Sequence, residues 1–159
     1  MSEESGLEML GPPSPDALAA YHVIHDSGVI LSLGCSAAHL VPLYISGTPY
    51  ELLLIDHATF NAVRGRLEAF HVAGGAVLQR VAAPIALSAS SIAADGEAQA
   101  VISGIPDGAE ISVRGAASVP WTPVIGTAVT LTSTEPGQML VTVRLPPPYL
   151  EWRDVIHAV

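Results

Sequence analysis

His22 and His25 are the first residues along the chain that invite chemistry. Imidazoles bind a metal when their nitrogens converge, but in a β-type run residues three apart point to opposite faces, so this pair is not expected to share an ion. Cys35 and His39 have the four-residue spacing that aligns side chains on a helix, where they could hold zinc or activate a thiolate. No second ligand pair follows nearby, and the simpler expectation is a buried cysteine and a surface histidine. Asp56-His57 falls at a strand end, where catalytic groups are often displayed, yet strand neighbours diverge and the pair reads as a turn. Glu51 and Glu68 are of the residue type of a glycosidase pair, with nothing in the sequence to fix their separation. Asp95 and Asp107 each precede a glycine in a turn and could hold calcium, although Asp-Gly is first a turn signal. No Gly-x-Ser-x-Gly elbow, His-Glu-x-x-His run or phosphate-cradling glycine loop occurs. The expectation is a protein that is not an enzyme, with no catalytic residues, no metal and no cofactor.

The chain that must position these residues has 159 of them, enough for one ordinary domain or two small ones. Its apolar residues are spread over strand-sized runs such as Glu51 to Ile55 and Val29 to Leu33. None approaches the roughly 18 to 20 residues that span a bilayer, so no membrane insertion is expected. The N-terminus, Met1-Ser2-Glu3-Glu4-Ser5-Gly6, is acidic where a secretory signal would be basic and then apolar. Together with a single cysteine, Cys35, this predicts synthesis in a cytoplasm without export by that route. Every basic side chain is arginine, and acids outnumber them to a net charge of -9. Such a surface repels phosphates, so nucleic acid is not expected as a partner.

Residues 1 to 18, which include Gly11-Pro12-Pro13-Ser14-Pro15-Asp16, read as an extended arm or linker, because proline blocks both helix and ladder hydrogen bonds. Residues 19 to 82 read as a β-rich attachment domain. Ala20 to His25 and Val29 to Leu33 form a hairpin around Asp26-Ser27-Gly28, and Phe70 to Val72 with Ala76 to Leu78 form another around Gly74-Gly75. Between them lie a short turn of helix at Cys35 to Leu40 with Ser36 as a possible cap, a strand at Tyr50 to Ile55, and a weakly patterned helix at Ala58 to Ala69. From residue 83 to 159 the pattern changes to short strands separated by glycine-bearing turns. The runs are Ile85 to Ser90, Ala98 to Ser103, Glu110 to Val113, Val124 to Thr132, Met139 to Val143 and Trp152 to Val159. Ala98, Ala100, Ile102, Ile111, Val113, Val129 and Leu131 are expected to face a core. The fold class is therefore mainly β, with a small N-terminal β-rich domain before a β-sandwich.

Ile92-Ala93-Ala94-Asp95-Gly96, Ala100 to Ala109 with its Gly104-Ile105-Pro106-Asp107-Gly108 turn, Pro136-Gly137, and Pro148-Tyr149-Leu150-Glu151-Trp152 carry a family likeness. This stretch resembles the C-terminal immunoglobulin-like module of tail and tail-fibre-associated proteins of bacteriophages and prophages. Asp26-Ser27-Gly28 and Phe70-His71-Val72 with Gly74-Gly75 before Arg80 are similar to the region that precedes that module, while Val41 to Glu68 finds no place in the likeness. The resemblance implies a structural virion component, part of a tail, tail fibre, baseplate or capsid attachment, made in the host cytoplasm. Its partners would be other virion structural proteins and further copies of itself in a homo-oligomer. Tyr149 and Trp152 beside the proline run would then be interface anchors, with a core role for Trp152 as the plainer reading. Trp121, between Pro120 and Pro123 in what reads as a long turn, has the better claim to exposure. The other readings are a carbohydrate- or surface-binding module of a bacterium, in which Trp121 and Tyr149 stack on sugar rings, and last a small hydrolase.

Overall fold

A computed structural model describes residues 19–159, and the arm expected at residues 1 to 18 lies outside them. The chain divides into two compact units between Leu67 and Glu68. This division falls before the hairpin of residues 70–79, whereas the change of sequence pattern lies between residues 82 and 83.

The first unit opens with β1 (Ala19–Asp26) and β2 (Val29–Ala37), an antiparallel hairpin. Ser27 and Gly28 form its two-residue turn with φ of 48° and 84°. That left-handed geometry matches the twist of the flanking strands, and Gly28 supplies it without steric cost. Next comes a 3-10 helix, Ala38–Ile45, that runs through Pro42 and starts at Ala37 without a side-chain cap. Ser36, expected as that cap, instead belongs to β2, and its hydroxyl is buried without a partner among the described residues. β3 (Glu51–Ile55) pairs antiparallel with β1 on the side away from β2.

The helix α1 (His57–Val63) is shorter than the sequence pattern suggests. Its start is fixed by Asp56, whose Oδ1 accepts the Thr59 amide at 2.6 Å. Its end follows from Arg64 leaving helical geometry and Gly65 taking a φ of 78°. Only a 3-10 turn at Leu67–Ala69 recovers part of the predicted extension. Tyr21 on β1 packs on α1, 5.0 Å from the His57 ring and 4.9 Å from Phe60. On the same strand His22 lies opposite Gly34, where a side chain's first carbon would stand 2.4 Å from its Nε2. The buried imidazole thus takes the space that the glycine leaves open, and Tyr44 covers it at 5.2 Å.

The second unit begins with the hairpin β4 (Phe70–Ala73) and β5 (Ala76–Gln79), turned by Gly74 and Gly75 at positive φ. Arg80 follows and ties this hairpin to the end of the chain. Its Nε donates to Phe70 O at 3.0 Å and its Nη1 to Tyr149 O at 3.3 Å. The rest is strand and turn: β6 (Ala86–Leu87), β7 (Ser91–Ile92), β8 (Ala100–Ser103), β9 (Glu110–Gly115), β10 (Val119–Pro123), β11 (Ala128–Leu131), β12 (Gly137–Arg144) and β13 (Trp152–Ala158). They form a five-stranded sheet, β10-β9-β12-β13-β7, and a three-stranded sheet, β11-β8-β6. All pairs are antiparallel except β13 with β7.

One apolar cluster joins the two sheets. Ala100, Ile102 and Leu131 of the smaller sheet pack with Ile111, Val113, Met139, Val141, Val143 and Ile156 of the larger. The protein is thus mainly β, as its alternating pattern predicts, and this unit is a two-sheet sandwich. β10 was expected as a turn, whereas β6 and β11 are shorter than the runs from which they were read. At the end of β9, Gly115 sits against β12 so closely that a first side-chain carbon would fall 1.9 Å from Gln138 O. Its φ of 122° lies where only glycine is at ease.

Candidate functional site

Strand alternation that turns the apolar residues inward necessarily turns another set outward. On β9, Ile111 and Val113 enter the core, so Ser112 and Arg114 face away from it. On β12 the inward Met139, Val141 and Val143 leave Leu140, Thr142 and Arg144 on the outer face. The register then sets them in rows, with Arg114 beside Leu140, Thr142 between Ser112 and Arg153, and Glu110 beside Arg144. Trp121 on the edge strand β10 closes one side, and the whole surrounds a pocket of about 340 Å³.

Arg144 reaches over β9 to Trp121, its guanidinium carbon 4.2 Å from the ring centroid. The same guanidinium contacts Glu110, Nη1 to Oε2 at 3.4 Å. Arg153 donates through Nε to Glu151 Oε1 at 2.6 Å. Exposed ion pairs and cation–π contacts of this kind contribute only about 0–1 kcal/mol each, so their effect is to orient the groups more than to stabilise the fold. Ser112 is committed as well, its hydroxyl donating to Val119 O at 3.2 Å. Arg114 differs, because its exposed side chain has no hydrogen bond, ion pair or ring contact among the described residues. Three of the chain's six basic residues, Arg114, Arg144 and Arg153, therefore line one face of a protein whose net charge is -9.

Trp121, singled out by sequence, stands in this site with 37% of its surface exposed. Tyr149 and Trp152 do not join it. Tyr149, expected to be exposed, is half-buried against the sandwich core, as is Trp152. The Tyr149 main chain is fixed too, bridged to Val81 and accepting from Arg80.

The residues with catalytic or metal-binding potential are spread apart. His22 and His25 are both buried, and the Nδ1 of His25 has no partner among the described residues. Cys35 is exposed on β2 and not buried as expected, while His39 lies in the 3-10 helix, so the helical alignment of the two does not arise. Asp56 serves as the α1 cap, and the Thr59 amide and hydroxyl hold its carboxyl below the ordinary range. Asp95 accepts the Glu97 and Ala98 amides at 2.8 Å each, which depresses its carboxyl likewise and commits it to its own turn. Glu51 is on β3 and Glu68 in the 3-10 turn. Among the described residues no group of three or more His, Cys, Asp or Glu could hold a metal ion.

A second hollow, of about 280 Å³, lies in the first unit among Ala20, Val41, Pro42, Ile45, Leu52 and Leu54. Its lining side chains are all apolar, so it offers shape with little directional chemistry. The basic face escaped sequence reasoning because its arginines come from three strands that only the register assembles. Their outward parity on each strand was the available signal. Comparison of the chain with protein-family models, with curated proteins and with solved structures gives no match.

Proposed function

We propose that this chain is a non-enzymatic structural protein of a bacteriophage particle, and that the outer face of its β10-β9-β12-β13 sheet makes the surface contact. One observation carries the contact assignment: a half-exposed tryptophan, oriented by a stacked guanidinium, beside a second guanidinium with no partner. Tryptophan and arginine dominate the binding energy of protein surfaces when they are held in place before the partner arrives. The virion setting is supported by the likeness of the turn-and-strand runs to phage tail proteins, and the immunoglobulin-like reading of the sandwich rests on the same runs. Exposed Leu43, Tyr44 and Leu54 in the first unit favour packing against neighbouring subunits, which a symmetric particle would supply.

Antibody raised against the full chain and applied to particles released from the source culture tests the setting. Gold label on the particles supports it. Label confined to the bacterial envelope overturns it and favours a surface-binding module of the bacterium itself.

A further inference from the structure

We infer that the pocket beside Trp121 binds a carboxylated sugar, a uronic-acid unit within a surface polysaccharide. This rests on the reading of that sheet face as the contact surface and names its ligand class. Hydrogen-bonding capacity is the first reason. Both carboxylates of the pocket region are already engaged, Glu110 by Arg144 and Glu151 by Arg153. The unbalanced charge is on the donor side, since each carboxylate offsets one guanidinium while Arg114 has no pairing carboxylate, and the Trp121 indole N–H has no hydrogen-bond partner among the described residues. A surplus of donors selects a ligand rich in acceptors, and the guanidinium fork fits a carboxylate through two parallel hydrogen bonds.

Shape and edge chemistry separate a sugar from an acidic peptide. About 340 Å³ lies at the small end of ligand pockets, room for a ring and not for a long extended segment. A peptide would gain most by adding a strand to the sheet, and β10 is the edge on that side. But Pro120 and Pro123 interrupt its donor row, and its pairing with β9 is irregular between Val119 and Thr122. Recognition there must come from side chains on the face, with an apolar sugar surface against Trp121 and Leu140 and the acid toward Arg114. The protein's overall negative charge opposes long-range attraction of an anion, so the contact is local and weakens with salt.

The test is titration of the full chain with a glucuronic-acid oligosaccharide, followed by calorimetry. Saturable binding that falls at least tenfold in Arg114→Gln and in high salt is expected, with Arg114→Lys restoring only part because it keeps the charge and loses the fork. A length-matched neutral glucose oligosaccharide should not saturate. Equal binding of the neutral sugar, unchanged binding by Arg114→Gln, or polyglutamate that binds with the same Arg114 dependence would each overturn the assignment, the last in favour of an acidic protein partner. Unaltered melting of both Arg114 variants confirms that the fold is intact. Failure of the sugar arms with label still on particles removes only the ligand class, whereas absence of that label removes the virion reading.

Discussion

The two units spend the same kinds of residue differently. In the sandwich Ile102, Met139, Val141, Val143 and Ile156 are fully buried, and the outer face sets arginines around an exposed Trp121 and Leu140. In the first unit the buried apolar residues are Val23, Ile30, Val41 and Val63, while Leu43, Tyr44 and Leu54 stand exposed and two histidines occupy the interior. A buried polar atom without a partner among the described residues costs about 1–3 kcal/mol; His25 Nδ1 and Ser36 Oγ are of this kind in the first unit, and His71 Nδ1 in the hairpin that opens the second. The larger apolar core is the sandwich's, and a binding face is best held in register on strands backed by such a core.

The strongest way to break this contrast is to hollow the sandwich. Ile156→Ala removes a fully buried side chain and should destabilise that unit by about 2–5 kcal/mol. Both tryptophans lie there, so their fluorescence through a urea titration reports the loss. A shift no larger than that of a surface substitution would contradict the assigned core. Next in size, Gly34→Ala drives a methyl into the His22 ring and should cost the first unit about 1–3 kcal/mol. Amide exchange on β1 and β2 measures it, and unchanged protection would mean that the imidazole has room to move.

How far the sequence alone foretold these regions depends on how local the signal was. Both hairpins in the first half of the chain were legible, because Ser27-Gly28 and Gly74-Gly75 announce their turns and alternation announces the strands. Inward positions such as Ala100, Ile102, Ile111 and Val113 were legible for the same reason. β10 was missed because Pro120 and Pro123 argue against a strand, although an edge tolerates them. β7 was missed because two residues carry no pattern, and its parallel pairing with the end of the chain is not local at all. Helix α1 is shorter than its apolar spacing implies because Gly65, at positive φ, ends the helical geometry that the spacing alone would continue. Of the binding face, Trp121 was legible from its type, but its stacking with Arg144 depended on strand pairing that no spacing encodes.

Smaller effects sharpen the role of the face itself. A double-mutant cycle of Trp121→Ala with Arg144→Ala should give a coupling of about 0.5–1 kcal/mol in stability, the scale of an exposed cation–π contact. Zero coupling would mean that the stack does not persist in solution. The smallest effect is with acid. Asp56 and Asp95 have folded-state carboxyls lowered by amide hydrogen bonds, so their stabilisation is present above the ordinary carboxylate range and is lost as pH falls through the lowered folded values. Asp95→Asn should flatten the acid limb of the second unit's melting curve, and Asp56→Asn that of the first. An unchanged limb in both would show that these turns do not depend on the charge.

Mapping where a ligand touches the folded chain decides between the two regions directly. With the backbone and side-chain resonances of the full chain assigned, addition of the uronic-acid oligosaccharide should shift Arg114, Trp121 and Thr142 together and leave Val41, Leu52 and Leu54 in place. Shifts gathered instead around the apolar hollow of the first unit would contradict the account.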